Sequence, residues 1–321
     1  MLNRICIAVL LGLLSACVSN APERPTPQQS TPTPSAATDA AISNAKITHE
    51  KLAEISGITA ASSADIRFWA INDSGNDSIL FAIGNDGKLL NQVSLPEHNR
   101  DWESLSRTRI GNKTVLIVGE TGDNLRHHKQ YQLHFVIEPT LKSEPVAPIT
   151  AYHTMSYRFP DGSHNVEAMA ATGNVIYLIT KEPLCDGKAT AGKLFRLHIN
   201  DSQNDSEQMA TYVGQMQLRP SSLTSSLAAS LAGVDLNQAT ALTFAADKTA
   251  AYVLTYRHLV RFAKRAGQSW ADALLGQGEV IHEHGLRQAE AMTIDNDGML
   301  WLTSEKLPAP IMALPSYTQF E

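Results

Sequence analysis

The chain has 321 residues, 43% of them hydrophobic and 18% charged, with 32 acidic against 26 basic side chains and a formal net charge of -6. Its basic residues are scattered among acidic ones and form no stripe, which argues against nucleic acid as a partner. Of three cysteines, Cys6 and Cys17 lie in an N-terminal leader and Cys185 stands alone in the body, so no intramolecular disulfide is expected and stability must come from packing.

Residues 1–17 have the plan of an export signal: Arg4, an apolar run over 5–14, then Leu14-Ser15-Ala16-Cys17. Small residues before a cysteine mark a lipoprotein cleavage box, and the run is too short to span a bilayer. The expectation is a signal peptide over 1–16 and a lipid on Cys17, which with Arg4 removed takes the net charge from -6 to -7. Val18 rather than Asp after the cysteine fits sorting to the outer membrane, facing the periplasm, in a Gram-negative host. Residues 17–44 are rich in Pro, Thr, Ser and Gln and read as a tether, which in polyproline II would reach roughly 80 Å.

Residues 45–321 read as one all-β domain, a single β-propeller of four-stranded antiparallel blades. Short apolar runs separated by turn residues give blade one at 56–59, 68–72, 79–83 and 92–95. Blade two follows at 103–106, 115–118, 131–137 and 152–159, and blade three at 167–171, 175–180, 194–199 and 210–218. Blade four is 241–244, 251–254, 259–262 and 279–282; blade five is 290–294, 300–303 and 310–314 and lacks its fourth strand. Residues 45–52 supply it in this reading, closing the ring and removing an exposed sheet edge. Five blades follow from the count. A sixth is possible in 220–237, although Leu223, Leu227 and Leu231 at spacing four suggest a short amphipathic helix there.

The pattern with chemical content is an acidic residue opening one strand and another closing its partner: Glu103 with Glu120, Glu167 with Glu182, Glu290 with Glu305. Ser56 with Asp73 and Thr240 with Thr255 fill the same places in two further copies, at spacings of 15 or 17. If the turn of the last hairpin is centred between Asn296 and Asp297, Glu290 lies opposite Thr303 and Glu305 is its diagonal neighbour roughly 7–8 Å away. Innermost strands surround a propeller axis, so Glu103, Glu167 and Glu290 are expected at one rim, with Asp73, Glu120, Glu182 and Glu305 behind them. So many carboxylates require compensation, by Ca2+ or Mg2+ bound through hard oxygen ligands or by nearby cations such as Lys181, Lys306, Arg100 and Arg257. The alternative is structural: a polar residue repeated in each blade bonds to the neighbouring backbone and locks blade to blade.

The loops Asp73-Ser74-Gly75-Asn76-Asp77 and Glu120-Thr121-Gly122-Asp123-Asn124 share one pattern and read either as an oxygen-rich cation site or as tight turns. Asp123, Asn124 and Arg126 are therefore secondary candidates with Lys181 and Arg257. His282 and His284 flank Glu283 on an outer strand and are weak candidate ligands. No Gly-x-Ser-x-Gly elbow or phosphate-cradling loop is present.

Trp69 to Asn76, Asp101-Trp102-Glu103, Gly119 to Asn124 and Glu167-Ala168-Met169, with Gln288 to Met292 and Thr303-Ser304-Glu305, resemble a group of largely uncharacterised bacterial lipoproteins. These are loosely related to phytase-like and esterase-like β-propellers. The resemblance covers about residues 54–306 and implies a propeller, most often of six blades, with no settled activity. The calcium and phosphate motif of β-propeller phytases has no residue-by-residue match here. Two functions remain: a lipid-anchored envelope propeller binding a small ligand or an envelope protein at its acidic end, or a divalent-metal-dependent hydrolase of phosphoesters or lactones.

Overall fold

The computed structural model describes residues 42–141, 153–183, 190–199, 207–218 and 235–315. The leader, most of the tether, Cys17, Cys185 and the helix expected around Leu223, Leu227 and Leu231 lie outside these residues. Among the described residues no helix is long and apolar enough to cross a membrane.

The order begins with β1 (Ile42–Ile47) and a 3-10 turn at Glu50–Leu52. Blade one is β2 (Ile55–Ala60), β3 (Phe68–Asn72), β4 (Ile79–Ile83) and β5 (Leu89–Ser94). Blade two is β6 (Trp102–Ile110), β7 (Lys113–Glu120), β8 (Tyr131–Ile137) and β9 (His153–Arg158). Blade three is β10 (Val166–Thr172), β11 (Val175–Thr180), β12 (Lys193–His198) and, after β13 (Gln208–Met209), β14 (Thr211–Gln215). Blade four is β15 (Ala239–Phe244), β16 (Ala250–Thr255), β17 (His258–Ala263) and β18 (Glu279–Glu283), with helix α1 (Trp270–Leu274) before its last strand. Blade five is β19 (Ala289–Ile294), β20 (Met299–Ser304) and β21 (Ala309–Pro315), and β1 pairs antiparallel with β21 to complete it.

The expected closure by an N-terminal strand holds, at Ile42–Ile47 rather than 45–52. Inner strands β2, β6, β10, β15 and β19 each contact the next, and β19 contacts β2. Because β10 and β15 touch directly, no blade fits between them. The ring has five blades, not the six implied by resemblance. One pairing is additional: β13 lies parallel to β9 and widens blade two.

The core is divided into five apolar clusters, one at each blade interface. Middle strands face two interfaces at once, so they read as continuous apolar runs. On β7, Val115 and Ile117 pack toward blade three while Leu116 and Val118 pack toward blade one. Hydroxyls fasten neighbouring blades: Ser56 Oγ donates to the Trp102 carbonyl at 2.6 Å and Thr240 Oγ1 to the Ala289 carbonyl at 2.7 Å. The locking role expected of the repeated polar position thus belongs to its hydroxyl members.

Candidate functional site

All five inner strands carry the same irregularity. Register shifts fall between Ile55 and Gly57, Trp102 and Ser104, Val166 and Ala168, Ala239 and Ala241, and Ala289 and Ala291. Ser56, Glu103, Glu167, Thr240 and Glu290 are therefore each the extra residue of a β-bulge, a device that re-aims a side chain out of the ladder. This corrects the expected register, because Thr303 lies opposite Ala291 and Glu290 has no cross-strand partner. The residue after each bulge is small: Gly57, Ser104, Ala168, Ala241 and Ala291. A Cβ on Gly57 would lie 2.6 Å from the Leu105 amide nitrogen. Two residues after each bulge stand Ile58, Leu105, Met169, Leu242 and Met292, all buried, forming an apolar plug across the channel. Directly above the plug the space among Ser56, Ser104, Glu167, Thr240 and Glu290 is about 10 Å³, room for one water at most. A ligand would therefore sit on the mouth rather than inside the channel.

Glu103 and Glu167 are each only 5% exposed. Burial, and then the charges of Glu167, Asp73, Asp101 and Glu290, push the Glu103 carboxyl well above the usual range. Among the described residues Glu103 has no hydrogen-bond donor. Glu167 is also pushed up by burial, although Lys181 opposes this with its Nζ 2.5 Å from Oε1. Asn165 Nδ2 donates to that oxygen at 3.2 Å, while Oε2 is buried and has no partner among the described residues. Lys181 also donates to the Tyr256 hydroxyl at 2.8 Å, and that hydroxyl donates to Glu290 Oε1 at 3.0 Å, making a continuous chain across the mouth. Burial, with the charges of Glu167 and Glu305, raises Glu290 to about 8; Glu290 and Glu305 are close enough to share a proton. Glu305 is raised as well, first by burial and also by Asp73, and it accepts from Gln288 Nε2 at 2.9 Å.

Sequence reasoning missed Asp101. Burial and the adjacent Asp73 raise its carboxyl to about 7. Asp73, Asp101 and Glu103 each offer an oxygen within 4.8 Å of the others, a spread that one cation with oxygens at roughly 2.3–2.6 Å can bridge. Asn99 positions the group: its Nδ2 donates to the carbonyls of Asn72 and Asp73, and its Oδ1 accepts the Trp102 amide at 3.0 Å. Gly122 is required beside it, since a Cβ there would lie 2.3 Å from the Asp101 carboxyl carbon. The Asp-Trp-Glu and Gly-Asp-Asn segments are thus two walls of one corner. A signal for Asp101 was present in the repeat. Two residues before each bulge stand Glu54, Asp101, Asn165, Gln238 and Gln288, all carboxyl or amide side chains.

Of the seven primary candidates, Asp73, Glu103, Glu167, Glu290 and Glu305 converge on the mouth, while Glu120 and Glu182 do not. The Glu120 carboxylate is 3.1 Å from Arg100 Nε and 3.5 Å from His134 Nε2, in a lateral recess. Glu182 is held by Arg126 Nη1 at 2.9 Å, His164 Nδ1 at 3.3 Å and Thr180 Oγ1 at 2.7 Å. Neither stands where Glu305 does, one residue beyond the pair that precedes the bulge: Glu120 is itself that paired residue, opposite Trp102, and Glu182 lies two residues beyond Thr180.

Among the secondary candidates only Lys181 reaches the centre. Arg126 serves Glu182 and the Lys181 carbonyl, and Arg257 pairs with Glu283 at 2.9 Å on the outer strand. Asp123 closes its own loop by accepting the amides of His127 and His128 and the Tyr131 hydroxyl. Burial pushes Asp123 upward, but those bonds hold it below the usual range, so its proximity to His127 and His128 leaves little for a metal. Asn124 Oδ1 accepts from Asn165 at 3.1 Å. Both ring nitrogens of His284 are engaged, with the Thr255 carbonyl and the Leu286 amide.

No protein-family model and no curated protein sequence matches the chain. Solved structures give remote likenesses of fold. An iodide structure of a Trichoderma reesei enzyme of carbohydrate-active family AA12 has 11% identity over 81% of this chain and 80% of that one, with a TM-score of 0.45. The PQQ-bound aldose sugar dehydrogenase of Streptomyces coelicolor has 8% identity over 85% and 96%, with a TM-score of 0.43. A nidogen/laminin complex has 11% identity over 78% and 73%, with a TM-score of 0.39.

Proposed function

We propose that this protein is a lipid-anchored envelope propeller that holds a divalent cation, Ca2+ or Mg2+, at the mouth of its channel and uses it to bind a small oxygen-rich ligand. One observation carries the reading: Glu103 is buried with no hydrogen-bond donor among the described residues, beside two further carboxyls whose oxygens lie within 4.8 Å. Six carboxyl groups, Asp73, Asp101, Glu103, Glu167, Glu290 and Glu305, share the charges of Lys181 and Lys306. Like charges packed this way either keep protons or recruit a cation, and hard carboxylate oxygens favour calcium or magnesium. Cys17 supplies the anchor and the proline-rich tether the reach, on the evidence of sequence. Mass spectrometry of the mature N-terminus checks the lipid.

Calorimetric titration of calcium and magnesium into EDTA-treated protein tests the cation. Saturable binding that disappears in Asp101→Asn and Glu103→Gln supports the proposal; equal binding by all three proteins, or none by the parent, refutes it. A second reading, metal-assisted hydrolysis of a phosphoester or lactone, draws on the Glu290 carboxyl, which gains and loses its proton near pH 8 beside the cation site. Screening both substrate classes with and without calcium separates turnover from binding.

A further inference from the structure

The plug gives the channel a second, separate end. Below Ile58, Leu105, Leu242 and Met292 lies a cavity of about 130 Å³ whose wall carries the hydroxyl residues Thr59, Ser106, Thr243 and Thr293 and, from blade five, Asp295 and Asn296. Four residues after each bulge stand Ala60, Ala171, Phe244, Ile294 and, in blade two, Arg107, all but Ala60 lining this cavity. A single cation in an otherwise apolar ring calls for a reason. Arg107 Nη2 donates to Asn296 Oδ1 in blade five at 2.8 Å, reaching past blade one, whereas Nη1 is buried and without a partner among the described residues.

Two carboxylates act on Arg107 at longer range, Glu138 and Asp295, and both are committed elsewhere. Asp295 takes Arg67 Nη2 at 2.5 Å, Trp301 Nε1 at 2.7 Å and the amides of Asp297 and Met299. Glu138 takes Trp69 Nε1 at 3.0 Å and the amide and hydroxyl of Ser62. A guanidinium remains charged in any protein environment, so its unpartnered donor retains a demand for an acceptor.

The geometry points to a binding site for a small oxyanion on the floor of the channel, held by Arg107 with Thr59 and Thr243 as hydroxyl donors. With a water's share of liquid near 30 Å³, the space fits a group of roughly four waters' volume, below the range of drug-sized ligands. This site is independent of the acidic mouth, from which the plug separates it.

The test is an NMR titration of the full-length protein, labelled with 15N-arginine, with sodium phosphate and then sodium acetate at constant ionic strength. The Arg107 guanidinium signal, assigned by its loss in Arg107→Lys, is expected to shift saturably while that of Arg67 stays fixed. Preference for phosphate over acetate identifies the anion as phosphate-like, and the reverse as a carboxylate. Thr243→Val leaves the guanidinium in place, keeps the test valid if Arg107→Lys does not fold, and is expected to weaken binding three- to tenfold. An Arg107 signal indifferent to both anions, or a Thr243→Val protein binding like the parent, overturns the proposal.

Discussion

At the channel mouth, burial and neighbouring acids raise the Glu290 carboxyl to about 8. Between blades two and three, burial pushes Glu182 in the same direction, yet His164, Thr180 and Arg126 hold it at about 2. The two glutamates belong to the same repeat, one opening its hairpin and the other closing it, and they differ in what the neighbouring blade provides. Glu182 is matched by donors and acts as a staple. Glu290, Glu103 and their neighbours, six carboxyls in all, share only Lys181 and Lys306, the condition under which a buried acid site recruits a cation.

The contrast breaks most sharply at Arg126. Arg126→Met strands the Glu182 carboxylate among buried groups and is expected to cost about 2–3 kcal/mol in urea unfolding, with or without calcium. Gly122→Ala forces a methyl group against Asp101 and is expected to cost about 1–2 kcal/mol while weakening calcium binding at least tenfold, read by calorimetry.

Acidity sharpens the comparison with an opposite sign at each site. A group whose pKa is raised on folding gives stability that is lost as pH climbs through its folded value. Metal-free protein should therefore lose about 1 kcal/mol between pH 7 and pH 9 from Glu290, and Glu290→Gln should flatten that slope. Glu182, depressed to about 2, contributes stability that is present above pH 4.5 and lost in acid, so it is silent in this window. The depressed histidines His128, His258, His282 and His284 titrate below about pH 6.5 and do not contribute above pH 7. The smallest effect has an unusual sign: Glu103→Gln removes a carboxyl that burial and the neighbouring acids force to keep its proton on folding, and should stabilise metal-free protein by roughly 0.5–1 kcal/mol in the same urea experiment.

The blades were legible because short apolar runs between turn signals, repeated four to a copy, leave few other folds, and the acids were legible because their spacing recurs. The bulge was not, since one inserted residue leaves the hairpin length almost unchanged while moving Glu290 out of the ladder. Without it, Glu120 and Glu182 looked equivalent to Glu305, although only Glu305 bends toward the axis. Helix α1 was missed despite Ser269 three residues before Asp272, whose amide its hydroxyl caps at 3.1 Å, because five residues are too few to show a period. Asp101 was missed for a different reason. Its position in the repeat is held by amides in three blades, and only the fold places this carboxyl against Asp73 and Glu103.

The most direct test is thermal unfolding of the purified protein at pH 8 in EDTA and in millimolar calcium or magnesium. At a hundredfold excess over Kd a single bound ion adds about 2.7 kcal/mol, which for a domain of this size is a rise of about 5 °C in Tm. The account predicts that rise in the parent protein and its absence in Glu103→Gln. Unfolding curves that superimpose with and without the ions would contradict a cation site at the mouth.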